Sequence, residues 1–75
     1  MTGIEDFVAL VREECGLDVR ADDVAASLDE LPGWDSLHLL TLATALERET
    51  GRRISLPDLL DARSLRQIYV VAVGG

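Results

Sequence analysis

The residues of this sequence that could support chemistry lie in one short run, Gly33-Trp34-Asp35-Ser36-Leu37. Ser36 follows a Pro32-Gly33 pair that is typical of a turn, and it begins the most regular helical pattern in the chain. The backbone N–H groups and the dipole at the start of a helix stabilise a negative group. Ser36 is therefore a candidate to carry a phosphodiester, because its hydroxyl would supply the link and the dipole would stabilise the anion.

Two plainer roles compete for Ser36. Asp and Ser are the usual residues at helix caps, so Asp35 and Ser36 taken alone are best interpreted as a cap. A hydrolytic nucleophile would need a base, but His38 is the only histidine, and residues two apart point to different sides of a helix. We therefore predict no catalytic residue. We expect His38 to lie on the surface, where it touches a partner or a group attached to Ser36.

The remaining polar residues give no sign of metal or redox chemistry. Cys15 is the only cysteine, so no intramolecular disulfide can form, which fits a reducing compartment. We expect Cys15 to be a small buried residue at the end of a helix. Asp18, Asp22 and Asp23 lack the ligand spacing of a calcium loop and are interpreted as solvated surface. We predict no metal site.

Length and charge limit the classes of function. The chain has 75 residues, enough for one domain spanning 1–75. Its net charge of −7 disfavours nucleic acid and anionic membrane as partners and favours basic patches on proteins. Neither a signal peptide nor an apolar stretch of about 20 residues is present, so we expect a cytoplasmic protein. All seven basic residues are Arg, which suggests GC-rich coding and a bacterial source.

Apolar residues at intervals of three and four predict four helices. The first covers residues 3–15 with a capping box of Thr2 and Glu5, the second covers about 36–50, a short third begins at Pro57, and the fourth runs from a cap at Ser64 to about Val73. Residues 16–35 show no sustained period and predict a long ordered loop. The expected fold is all-α: a small four-helix bundle of three main helices and one short third helix, with the long loop between the first two.

The second helix carries more apolar residues than one buried stripe needs. The stripe from Leu39 to Leu46 should face the core, whereas Leu37 and Leu40 lie on a neighbouring face, on the same turns as Ser36. An exposed apolar patch beside a reactive residue is what a partner enzyme would bind. Leu37 and Leu40 could equally reach the core from the flank of a wide stripe, so both interpretations stay open at this point.

The run Asp35-Ser36-Leu37 followed by an amphipathic helix closely resembles the acyl carrier protein and peptidyl carrier protein family. The first helix from Ile4, the segment Val24-Ala25-Ala26-Ser27-Leu28, Leu31 before the turn and Ile54 after the second helix also fall where that family has comparable residues. The tripeptide alone would be a weak signal. Its position within a four-helix pattern of 75 residues makes the resemblance strong.

The resemblance implies that a phosphopantetheinyl transferase would attach 4′-phosphopantetheine from coenzyme A to Ser36, with Asp35 helping to place a magnesium ion during modification. The thiol of this arm would hold an acyl or aminoacyl group as a thioester. The domain would catalyse nothing itself. Its partners would be the transferase, an adenylating or acyl-transferring loading enzyme, and downstream biosynthetic enzymes that recognise the second helix and the loops around it.

Some residues depart from the pattern of fatty-acid carriers. Trp34 stands where many of them have a small residue, and Thr41 and Thr44 stand where a charge is common. We expect Trp34 to be a plug over the loop in preference to a contact with the arm. The departures favour a freestanding, monomeric carrier of a nonribosomal peptide or polyketide pathway, with a partner-binding face of Trp34, Leu37, His38, Leu40, Thr41 and Thr44. The alternative function is an unmodified helical interaction module that keeps the carrier fold.

Overall fold

Four α-helices of unequal length make up the chain in the computed structural model, which describes residues 3–31 and 33–74. They are α1 (Ile4–Cys15), α2 (Ser36–Thr50), α3 (Leu56–Asp61) and α4 (Leu65–Gly74), and two 3₁₀ turns, Ala21–Ala25 and Leu28–Glu30, lie between α1 and α2. None of these helices is long and apolar enough to cross a membrane. The described ranges contain no β-strand, so the expected all-α bundle of three main helices and one short helix is confirmed.

The helices pack around an aliphatic core to which all four contribute. Its fully buried large side chains are Phe7, Val11, Leu42, Leu46, Leu59, Leu65 and Ile68. The ring of Phe7 meets the ring of Tyr69 edge-on, with 5.4 Å between their centroids. A domain of this size buries only about 60% of the surface that its unfolded chain exposes. Each of these large side chains therefore supplies a substantial share of the stability.

Glycine ends two of the helices. Gly16 follows α1 with a φ of 67°, and Gly51 follows α2 with a φ of 69°, as the sequence predicts. The N–H of each bonds a carbonyl in the last turn of the helix that it ends. At the other end of α1 the cap position is held by Gly3, which makes no side-chain cap. The predicted capping box of Thr2 and Glu5 depends on Thr2, which lies outside the described residues.

The segment between α1 and α2 is packed against the core. Leu28 and Leu31 are buried and Val24 packs against the core, as expected from the sequence. Val19 is also buried, and its position was not predicted. The long ordered loop predicted here contains the two 3₁₀ turns, which the sequence did not predict. Turns this short show no apolar period, so a search by periodicity does not detect them.

Serine side chains cap the last two helices. The Ser55 Oγ accepts a first-turn N–H of α3 at 3.4 Å, and the Ser64 Oγ accepts the Gln67 N–H at 3.2 Å. Pro57 lies in the first turn of α3, as predicted. The Gln67 side chain accepts the N–H of Arg63 and not that of Ser64, so the predicted capping box closes one residue earlier in the chain than expected.

Replacement of Gly51 by Ala is expected to lower the free energy of unfolding by about 1 kcal/mol, because a side chain disfavours the left-handed backbone that ends α2. Urea denaturation measures the change. The matched control is Gly3→Ser, since Gly3 has an extended backbone and serine is a good N-cap. An added Cβ meets no atom within 4 Å at either position, so packing cannot explain a difference. Equal losses in the two variants would contradict the backbone argument.

Candidate functional site

Ser36 is the first residue of α2, and its side chain is exposed to solvent. The cap of the helix is Asp35, as predicted: its backbone is extended, and its Oδ1 accepts the His38 N–H at 3.0 Å. Because Asp35 supplies the cap, the Ser36 hydroxyl is not needed for it. That hydroxyl makes no hydrogen bond to any residue that the structure describes. The structure therefore assigns the cap of α2 to Asp35 and not to Ser36.

The first turn of α2 also leaves backbone donors available. The first N–H groups of a helix have no acceptor within the helix. The Asp35 side chain accepts the His38 N–H, and the Asp35 carbonyl accepts the Leu39 N–H at 3.3 Å. The N–H groups of Ser36 and Leu37 precede these and lie at the positive end of the helix dipole. A negative group on the Ser36 hydroxyl would therefore be stabilised by its surroundings.

His38 is less exposed than expected, with 26% of its side chain accessible to solvent. Its Nδ1 lies 2.9 Å from the Asp35 Oδ1. That Nδ1 atom is shielded from solvent and has no partner with good hydrogen-bond alignment in the described part of the chain. The imidazole ring is also stacked on the indole of Trp34, with 6.0 Å between centroids and 25° between ring planes. The His38 side chain thus contacts Asp35 and Trp34, the two residues that precede Ser36.

Trp34 both packs against the core and lines a cleft beside Ser36. Its half-buried side chain packs against the core, as expected of a plug over the loop. The backbone N–H of Trp34 donates to the Leu31 carbonyl at 3.2 Å, and this bond holds the residues before α2 in a turn. Pro32, which the sequence places in this turn, lies outside the described residues. The indole also lines a cleft beside Ser36.

This cleft has a volume of about 430 Å³. It lies between the segment that precedes α2, the start of α2, and the junction of α3 with α4. Apolar side chains and charged side chains share its walls, which are formed mainly by Leu28, Asp29, Trp34, Asp35, Ser36, Leu39, Leu59 and Arg63. The cleft therefore offers an apolar surface with charged groups around it, directly beside the Ser36 hydroxyl.

The apolar patch expected on α2 is present. Leu37 is 70% exposed and Leu40 is 48% exposed, so neither reaches the core. Thr41 and Thr44 are exposed on the same helix. The neighbouring helix α3 adds Leu60, which is 62% exposed and was not predicted. Its signal in the sequence is the adjacent pair of leucines in so short a helix, because only one of two consecutive residues can face the core.

A family model described as a phosphopantetheine attachment site matches residues 5–69. The chain belongs to this family. Carriers of this family bind 4′-phosphopantetheine covalently, and they interact with phosphopantetheinyl transferases and with partner enzymes. Such carrier domains are not catalytic themselves. The resemblance to acyl and peptidyl carrier proteins is thus confirmed, while comparison with curated proteins and with solved structures gave no significant match.

The surroundings of Ser36 fit the phosphopantetheine group of this carrier family. Attachment of a phosphodiester requires an accessible hydroxyl. A negative group buried beside the phosphodiester would also have to be paired or hydrogen-bonded. Ser36 offers an exposed hydroxyl, and the N–H groups of Ser36 and Leu37 offer donors at the positive end of α2. The adjacent cleft provides a surface along which an attached group could lie. The described residues contain no group of three His, Cys, Asp or Glu side chains that could hold a metal ion.

Cys15 ends α1 beside this site and is half-buried. Its Sγ–H donates to the His38 carbonyl over 3.6 Å and so connects the end of α1 to the start of α2. Burial raises the pKa of the Cys15 thiol, and the negative charges of Glu14 and Asp35 raise that pKa further. The thiol therefore stays protonated at neutral pH, which makes it a poor nucleophile.

Iodoacetamide at about pH 8 should modify Cys15 more slowly in the folded carrier than in the urea-unfolded chain, since the folded state holds less thiolate. Intact mass follows the reaction, and Cys15→Ala serves as the control that takes up no label. The raised pKa also makes stability depend on pH. The contribution of the protonated thiol is fully present below its ordinary pKa of 9.0 and is lost as the pH rises through the higher folded value. Equal labelling rates in both states would contradict the raised pKa.

Proposed function

We propose that Ser36 carries the phosphopantetheine arm, and that residues 1–75 form one carrier domain. It would hold an aminoacyl, peptidyl or acyl intermediate as a thioester and present it to the enzymes of a natural-product pathway, nonribosomal peptide or polyketide. The observation that supports the assignment is the exposed hydroxyl of Ser36 at the first residue of α2, which makes no hydrogen bond to any described residue. We place the protein in the cytoplasm as a monomer.

The other described serines suit attachment less well. The oxygens of Ser55 and Ser64 already accept hydrogen bonds as helix caps. Ser27 is exposed, but it precedes only the short 3₁₀ turn Leu28–Glu30 and not an α-helix. Ser36 alone among them combines an exposed, unbonded hydroxyl with the start of a helix of 15 residues. This contrast supports Ser36 independently of the motif.

Each neighbour of Ser36 has a separate role in the proposal. The N–H groups of Ser36 and Leu37 would stabilise the phosphodiester through the positive end of α2. The carboxylate of Asp35 caps the helix and would help to place the magnesium ion during modification. When bound, the arm supplies a thiol that forms the thioester with the cargo. The protein itself holds the attachment point in a fixed position at the surface and exposes it to its partners.

The exposed face of α2 supports the proposed pathway. Leu37, Leu40, Thr41 and Thr44 are all exposed and uncharged, so a partner would meet an apolar surface with hydroxyl groups. A face of this kind favours docking by apolar contact over docking by charge, unlike the acidic face that the resemblance associates with fatty-acid carriers. We propose that this face, completed by Trp34 and His38, binds the transferase, the loading enzyme and downstream enzymes.

Incubation with coenzyme A, magnesium and a promiscuous phosphopantetheinyl transferase should raise the intact mass of the carrier by one phosphopantetheine group. The variant Ser36→Ala should gain nothing, because it lacks the accepting hydroxyl. The matched control is Ser55→Ala, which removes another exposed serine at a helix start and should be modified as the natural chain is. Intact mass spectrometry measures the gain in mass of the natural chain and of both variants.

Two outcomes of this experiment would contradict the assignment. If an active transferase leaves the natural chain unmodified, the chain is an unmodified interaction module with the carrier fold. If Ser36→Ala gains the group, attachment occurs at another residue. Modification of the natural chain and of Ser55→Ala, but not of Ser36→Ala, confirms the proposal.

Replacement of both Leu37 and Leu40 by Ala should raise the KM of the transferase for the carrier about tenfold, since loss of buried leucine contacts at an interface costs about 1–2 kcal/mol. The free energy of unfolding should change by less than about 0.5 kcal/mol, because both side chains are exposed. The control is Val70→Ala, which removes an apolar side chain of similar exposure from α4. A double variant with unchanged KM would exclude this patch as the docking face.

A further inference from the structure

Three side chains around Ser36 are in contact with one another. Asp35 caps α2, His38 lies one turn along the helix, and Trp34 precedes the cap. We infer that His38 is a positioning residue, which holds the Asp35 carboxylate with its Nδ1–H and holds Trp34 with its ring. It would thereby fix the Ser36 hydroxyl in the orientation that the modifying enzyme requires. This inference rests on the proposed function of Ser36.

The position of the imidazole proton follows from the contact with Asp35. The His38 Nδ1 lies 2.9 Å from the Asp35 Oδ1. Two unprotonated acceptors at that distance would repel each other, so Nδ1 must carry hydrogen. The atom is shielded from solvent and has no aligned hydrogen-bond partner in the described part of the chain, so its contact with the carboxylate is a close electrostatic one and not a hydrogen bond. The Nδ1–H form of His38 is thus the one that the structure supports.

Both contacts of His38 meet the same oxygen of Asp35. The backbone N–H donates to Oδ1 at 3.0 Å, and the ring Nδ1 lies 2.9 Å from it. The cap hydrogen bond and the close contact with Nδ1 together restrict the rotation of the carboxylate more than the cap bond alone. Neither contact involves Oδ2. The main chain of Asp35 is held as well, since its carbonyl accepts the Leu39 N–H. Ser36, the next residue, therefore follows a residue fixed through both its side chain and its backbone.

The ring of His38 restricts the chain on the other side of the cap. It is stacked on the Trp34 indole, and the Trp34 N–H is bonded to the Leu31 carbonyl. The His38 carbonyl accepts the bond from Cys15 at the end of α1. One residue thus connects the turn before α2, the cap of α2 and the end of α1. The ring contact and the Nδ1–H contact are made by different parts of His38, so substitutions can separate them.

The test compares His38→Asn with His38→Gln in the complete chain. An asparagine amide can place an N–H near the position of Nδ1, whereas the glutamine amide is one methylene further out and cannot make the same contact. Steady-state kinetics of phosphopantetheine transfer, followed by intact mass, give kcat and KM for each variant, and thermal unfolding gives stability. His38→Gln should lose about tenfold in kcat, since small misplacements of a reacting group slow a reaction strongly, and His38→Asn should recover most of that loss.

A third variant, His38→Phe, keeps a ring to stack on Trp34 but has no donor. It should lose kcat as His38→Gln does, even if either variant unfolds at a different temperature. Equal kcat in His38→Asn and His38→Gln, or a kcat for His38→Phe equal to that of the natural chain, would overturn the positioning role. A loss of kcat that parallels the decrease in unfolding temperature across all three variants would also overturn the positioning role. Failure of the Ser36 assignment is distinguishable, because the natural chain itself would then remain unmodified.

Discussion

The hydrogen bond from the His38 N–H to the Asp35 Oδ1 determines where α2 begins, and the chemistry of the site depends on that position. A cap of this kind contributes about 1 kcal/mol. Had the serine supplied the cap, its oxygen would be engaged by the helix, as the oxygens of Ser55 and Ser64 are. Because the carboxylate one residue earlier caps the helix, the Ser36 hydroxyl stays exposed while the positive end of the dipole remains beside it. A small local free energy thus separates a serine whose oxygen is engaged in a cap from one whose hydroxyl is exposed.

The core holds α2 in the rotation that this site requires. Leu42 and Leu46 are fully buried, and the helical period then turns Leu37 and Leu40 outwards on the same turns as Ser36. The cleft beside Ser36 depends on contacts that are distant in sequence. The Leu28 N–H bonds the carbonyl of Arg63, so the segment before α2 is joined to the junction of α3 and α4. The walls of the cleft therefore come from three parts of the chain.

The sequence predicted most of what depends on near neighbours. The bounds of α2, the Asp35 cap and the left-handed glycine at Gly51 all follow from residues within one helical turn. It did not predict the burial of Val19 or the two 3₁₀ turns, because their packing is decided by other helices and not by a local period. The direction of the His38 ring was missed for the same reason, whereas the exposure of Leu60 had a local signal in the adjacent pair of leucines. The side-chain group around Ser36 became visible only once the chain was folded.

The position of Trp34 gives this protein an intrinsic optical reporter. It is the only tryptophan in the chain, so its fluorescence has a single source. The indole is half-buried, lines the cleft beside Ser36 and is stacked on the His38 ring. Any group that enters the cleft, and any enzyme that covers it, changes the polarity around that one ring. The residue that closes the loop before α2 can therefore signal loading and docking without an added dye.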